Sequence, residues 1–166
     1  MAEKNIPMKP RNLIFTMAAS ALAFLLSACR PPDQSVAANA KLVQAMNRGV
    51  SYMGQYEYEP AVKAFEEAVA IAPELVEARV NLAIALFNRN RKEDQDIDCS
   101  RKLLDEVLAK DPAQLRALYF KGIILQHIGK AEEAISCFEK VVKQQPEDGA
   151  AWFLLGLCQQ RLGQPA

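Results

Sequence analysis

Apolar residues are distributed in two ways along this chain. Between Leu13 and Leu26 they form one nearly continuous run of 14 residues. From about residue 42 onward they are interleaved with charged residues and come back at fixed distances. No stretch keeps the strict alternation of a half-buried strand. Each apolar helical stretch is closed by a proline, and Pro73, Pro112 and Pro146 stand 39 and 34 residues apart. The same two gaps separate Ala61, Ser100 and Ala134, then Phe65, Leu104 and Phe138, then Ala68, Val107 and Val141. Gly49, Ala83, Gly122 and Gly156 follow at 34, 39 and 34. One register accounts for them all: a 34-residue unit with a single five-residue insertion inside its second copy. The copies run over 42–75, 76–114 and 115–148, with a partial fourth over 149–166.

That register predicts an all-α chain of antiparallel helix pairs. Two helices approach closely only where small residues face each other, so Gly49 is expected opposite Ala61, and Gly122 opposite Ala134. Phe65 and Phe138 would fill the wider space between neighbouring pairs. The prolines end each second helix. Gly54 and Gly129 stand at helix ends, where a positive φ is wanted.

The arrangement resembles the tetratricopeptide repeat. Gly122, Leu125, Gly129, Ala134, Phe138 and Pro146 of the third copy match its pattern best. The first copy matches through Gly49, Tyr52, Ala61, Phe65, Ala68 and Pro73, and the second through Leu82, Ala83, Leu104 and Pro112. The resemblance implies a right-handed superhelical solenoid over 41–166, with about three and a half repeats. It also implies a concave groove lined by the first helix of each pair. Here that groove would hold Met46, Val50 and Met53, then Val80, Ile84 and Phe87, then Tyr119, Ile123 and Gln126, and finally Phe153 and Leu157. Relatives that clamp a C-terminal carboxylate carry Lys, Arg or Asn at the fifth and ninth repeat positions, and this chain has none there. Met and aromatic groups suit an apolar helix or extended segment instead. The expectation is a protein–protein scaffold or adaptor with protein partners. A peptide- or small-ligand-binding module, and the N-terminal part of a larger secreted protein, stand as alternatives. The last copy, Trp152 to Leu157, is a first helix with no second helix to cover it.

Charge refines the picture at the N-terminus. The chain has 20 basic and 20 acidic side chains. Lys4, Lys9 and Arg11 sit against one acid, Glu3, in the first 28 residues, so the remainder is faintly acidic. Such a balance does not suit a partner that is nucleic acid. The apolar run is too short to span a bilayer, which takes about 20 residues, but suits a signal-peptide core. It ends in Leu26-Ser27-Ala28-Cys29, which resembles a bacterial lipobox. The resemblance implies cleavage after residue 28, a lipid on Cys29, and membrane attachment on the extracytoplasmic side. Residues 29–40, with Pro31 and Pro32, read as a tether.

Candidate chemistry is sparse. Asp94, Asp96, Asp98 and Asp105 have the spacing of a calcium loop, but Cys99 replaces the glycine of its sharp turn. The stronger reading is a solvated loop in which Asp98 or Ser100 caps the next helix. Cys137 and Cys158 fall on neighbouring helices and are expected as small buried apolar groups, with a disulfide as the alternative. His127 is the single histidine and reads as a helix-end surface residue. No metal, no cofactor and no catalytic residue is expected.

Overall fold

The computed structural model describes residues 34–89 and 94–163. The leader and Cys29 lie outside them. The chain divides into two compact units, residues 1–37 and 38–166; of the first, only the opening of one helix is described. Among the described residues there are seven helices and no strand: α1 (Gln34–Gly54), α2 (Tyr58–Ile71), α3 (Val76–Arg89), α4 (Asp94–Lys110), α5 (Leu115–His127), α6 (Ala131–Gln144) and α7 (Gly149–Arg161). They pair as the register requires. Each helix from α2 onward packs against its successor, and the first helices α3, α5 and α7 also touch side by side. The result is an all-α solenoid.

The tether expected over 29–40 is shorter than its prolines implied, because residues 34–40 are already helical. From Gln34 the chain reads Gln-Ser-Val-Ala-Ala-Asn-Ala, and its alanines favour continuing the helix backwards from residue 41.

In the first and third pairs the closest approach to the glycine is made by a ring. The ring of Phe65 lies directly over Gly49, and the ring of Phe138 over Gly122. A methyl group added at Gly122 would sit 2.7 Å from Phe138 Cε1 and Cζ, closer than any real contact. Glycine is therefore a floor for phenylalanine. Phe65 and Phe138 are the two largest fully buried side chains, each contributing about 2–3 kcal/mol of burial.

The turns within pairs share one geometry. Glu57 N–H donates to Tyr52 O at 2.9 Å, and Lys130 N–H to Leu125 O at 2.8 Å. These six-residue closures need a left-handed residue just before the donor. That residue is Tyr56 (φ 62°) in the first copy and Gly129 (φ 82°) in the third; Gly163 (φ 69°) is also left-handed. The first turn thus places its positive φ on Tyr56, two residues beyond the expected Gly54.

The insertion is helical where a loop was expected. Ile97–Lys110 matches Ala131–Gln144 in register, and Asp94–Asp96 add a further turn in front. Asp96 is 5% exposed and receives a two-pronged bond from Arg89, at 2.8 and 2.5 Å. Arg89 also reaches Glu59 of α2 at 3.1 Å, which ties the added turn to the preceding pair; these carboxylates hold its guanidinium well above the ordinary range for loss of its proton. Ser100 caps nothing. Its buried hydroxyl donates to the Ala83 carbonyl at 2.6 Å, where Ala61 and Ala134 have only a methyl group. Asp98 is likewise inside α4, its carboxylate facing Arg101 at 3.6 Å.

The glycine floors and the left-handed turn give opposite expectations for two substitutions. Gly122→Ala should lower unfolding free energy by about 1–3 kcal/mol, because the phenyl ring has no space to retreat into. Tyr56→Gly should raise it by about 0.5 kcal/mol, since relief of left-handed strain exceeds the entropy cost of glycine. Urea denaturation measures both, and an unchanged midpoint for Gly122→Ala would contradict the packing described.

Candidate functional site

The first helices α1, α3, α5 and α7 carry the residues expected to line a groove, but the structure exposes them unequally. Val80 is fully buried, and Ile84 and Phe87 are 8% and 4% exposed. All three belong to the core shared with Leu104, Val107 and Ile124, with Met53 of α1 and Ile123 of α5 packed against it. The middle of the expected groove is therefore closed, because α3 has a neighbour on both sides. Tyr119 is half-buried and stacks edge-on against Phe138 at 6.1 Å and Phe120 at 5.5 Å. Burial raises its phenol above the ordinary range. Met46, Met53, Ile123 and Gln126 are half-buried too.

The ends remain open. On α1, Val43 and Val50 are each 57% exposed; on α7, Phe153 is 65% and Leu157 is 37% exposed. Of the expected groove positions, Val50, Phe153 and Leu157 are thus the ones left exposed among the described residues. Trp152 is also half-exposed, a residue the groove register passes over. Its indole N–H donates to the Pro146 carbonyl at 2.9 Å, which fixes the ring at the mouth of α7. Between the two ends, Arg116 donates to Asn81 at 2.8 Å. Beside it lies a hollow of about 210 Å³ bounded by Leu115, Arg116, Tyr119, Phe120 and Gln145.

A larger hollow of about 430 Å³ lies where the inserted turn meets α2 and α3, lined by Leu82, Leu86, Leu103, Arg89, Asp96 and Cys99. Sequence reasoning missed it, because it assigned these inserted residues to a loop. The calcium reading fails for the same reason: Asp96 is helical and held by Arg89. No group of three or more His, Cys, Asp or Glu able to hold a metal occurs among the described residues. His127 is exposed at the end of α5, with Phe87 edge-on at 5.3 Å.

Cys99, Cys137 and Cys158 are free thiols. Cys137 and Cys158 are buried, and burial pushes both thiols up. Neither is linked to the other.

Sequence models of the tetratricopeptide repeat match residues 46–95 and 93–158. Among curated proteins, Protein NPG1 of Arabidopsis thaliana is 25% identical over 100 residues, covering 60% of this chain and 14% of that protein. Superkiller protein 3 of Saccharomyces cerevisiae is 27% identical over 111 residues, covering 67% and 7%. The chain thus spans a seventh or less of the length of these relatives. Among solved structures, the first TPR of Spaghetti (RPAP3) bound to the HSP90 peptide SRMEEVD superposes with a TM-score of 0.67 at 20% identity, covering 75% of this chain and 95% of that one. MamA from Desulfovibrio magneticus RS-1 superposes with a TM-score of 0.64 at 26% identity, covering 73% and 66%.

The thiols give a direct check on this burial. Iodoacetamide at pH 8 should modify Cys99 in the folded chain and leave Cys137 and Cys158 unmodified until denaturant is added, because only the exposed thiol yields an accessible thiolate. Peptide mass mapping reads the three sites separately. Equal labelling of all three in native conditions would contradict the packing of α6 and α7.

Proposed function

We propose that this chain, whose residues 46–158 are tetratricopeptide repeats, is a protein–protein interaction module that docks apolar segments of partner proteins along its first helices. The observation that carries this reading is the pair of open ends: Val43 and Val50 on α1, Phe153 and Leu157 on α7. Apolar groups at successive groove positions, left in water, mark a contact surface rather than a core. A solenoid of the same fold is bound to the HSP90 peptide SRMEEVD in the Spaghetti structure. That peptide is rich in acidic residues, whereas Val43, Val50, Phe153 and Leu157 offer this chain's partner no charge. Specificity therefore rests on shape and apolar area, with Arg116 and Asn81 as polar markers along the face.

We further propose that the module works as a scaffold in a bacterial cell envelope, attached by a lipid on Cys29. The support is the leader alone: the basic stretch from Lys4 to Arg11, the apolar run and the Leu26-Ser27-Ala28-Cys29 junction. Two acyl chains of a diacylglycerol hold a protein at a membrane, where one chain does so only reversibly.

Two experiments test these statements. Val50→Asp and Phe153→Asp change exposed positions, so thermal unfolding should move by less than about 0.5 kcal/mol, while capture of apolar peptides from an immobilised library should be lost. Capture that survives both changes would rule out the first-helix face. Growth with labelled palmitate should mark the wild-type chain and leave Cys29→Ser unmarked; label retained by the Ser variant would remove the anchor from the proposal.

A further inference from the structure

The inserted turn shapes a bounded hollow that lies apart from the groove positions. Leu82 and Leu86 of α3 and Leu103 of α4 form its apolar floor, and Glu66 of α2 faces the α4 bank across it. Two ion pairs made by α3 close its ends, Arg79 to Glu106 at 2.7 Å and Arg89 to Asp96 at 2.5 Å. Along α4 these two acids stand about 15 Å apart. The hollow holds about 430 Å³, the size of a small-ligand site. A trough closed at both ends takes a short molecule rather than a stretch of a long chain.

Charge on the banks narrows the class of that molecule. The acids one turn from Lys102 are each committed to another base: Asp98 to Arg101 at 3.6 Å, Asp105 to Lys121 at 2.5 Å, and Glu106 to Arg79. On α2, Lys63 pairs with Glu59 at 3.5 Å. Among the described residues Glu66 and Lys102 are thus left without an ion-pair partner, an anion and a cation on facing banks of an apolar floor. We infer that the hollow binds a short free peptide of apolar residues, with its ammonium at Glu66 and its carboxylate at Lys102. An extended tripeptide spans about 10 Å, and its first and third side chains point the same way, onto the leucines. The site lies between α2 and α4, so the inference does not rest on the groove.

The tripeptide Leu-Ala-Leu with free termini serves as the probe, titrated by calorimetry into the 166-residue chain. Saturable binding with a Kd below about 1 mM is expected. Cys99 lines the hollow and its thiol is exposed, so bound peptide should slow its alkylation by iodoacetamide at least about threefold. The N-acetyl and C-amide forms each lack one charge and should bind at least about threefold more weakly. Lys102→Gln should weaken the free peptide by the same factor and leave the amide unaffected; Glu66→Gln should do the same for the free and acetyl forms. Both positions are exposed, so the unfolding midpoint should stay at its wild-type value. The inference is overturned by no saturable binding in this range, by unslowed alkylation of Cys99, or by equal binding of the capped peptides. It is overturned equally if Lys102→Gln weakens the free and amidated forms alike.

Discussion

A phenyl ring resting on a bare glycine backbone sets the spacing of this molecule. Where Phe65 meets Gly49 and Phe138 meets Gly122, two helices are drawn together by a flat apolar group that tolerates no intervening methyl. The alanines at 61 and 134, one turn before each ring, are fully buried and keep the seam narrow beside it. With that distance fixed, the short turn closed by Lys130 or Glu57 reaches from one helix to the next without slack. Everything downstream, including which faces of the first helices point outward, follows from how tightly each pair is closed.

The same closure divides the first-helix surface into used and unused parts. A first helix in the interior of the stack loses its apolar residues to its neighbours, as Val80, Ile84 and Phe87 do. A first helix at an end keeps them in water. Among the described residues the exposed apolar groove positions are therefore on α1 and α7, instead of being spread along a continuous channel. Long side chains in the middle, Tyr119 above all, hold the repeats together and leave little of themselves for a guest.

Much of this was readable in the sequence, and the failures have physical causes. Repeat length, helix pairing and the prolines at 73, 112 and 146 are local facts, visible because each unit repeats its own chemistry. The left-handed turn at Gly129 was legible because glycine announces it; the same turn at Tyr56 was not, since only the hydrogen-bond closure demands it. Register told which side of a helix Val80 and Ile84 occupy, but not that Met53 and Ile123 would cover that side. The inserted residues looked like a loop because they are acidic, and only the salt bridge from Arg89 to Asp96 makes an acidic turn stable as helix.

The inserted turn also shows how this architecture handles changes of length. Five residues enter the second copy, yet by Ser100 the chain is back in step with the alanines at 61 and 134, and Lys110 ends its helix where Gln144 ends the later one. Each pair touches only its immediate neighbours, so a local error in length is absorbed by one extra helical turn and passed no further. A chain built this way evolves as a row of exchangeable tiles: one tile can acquire an outgrowth, and with it a private hollow of its own, while the tiles on either side keep their shape.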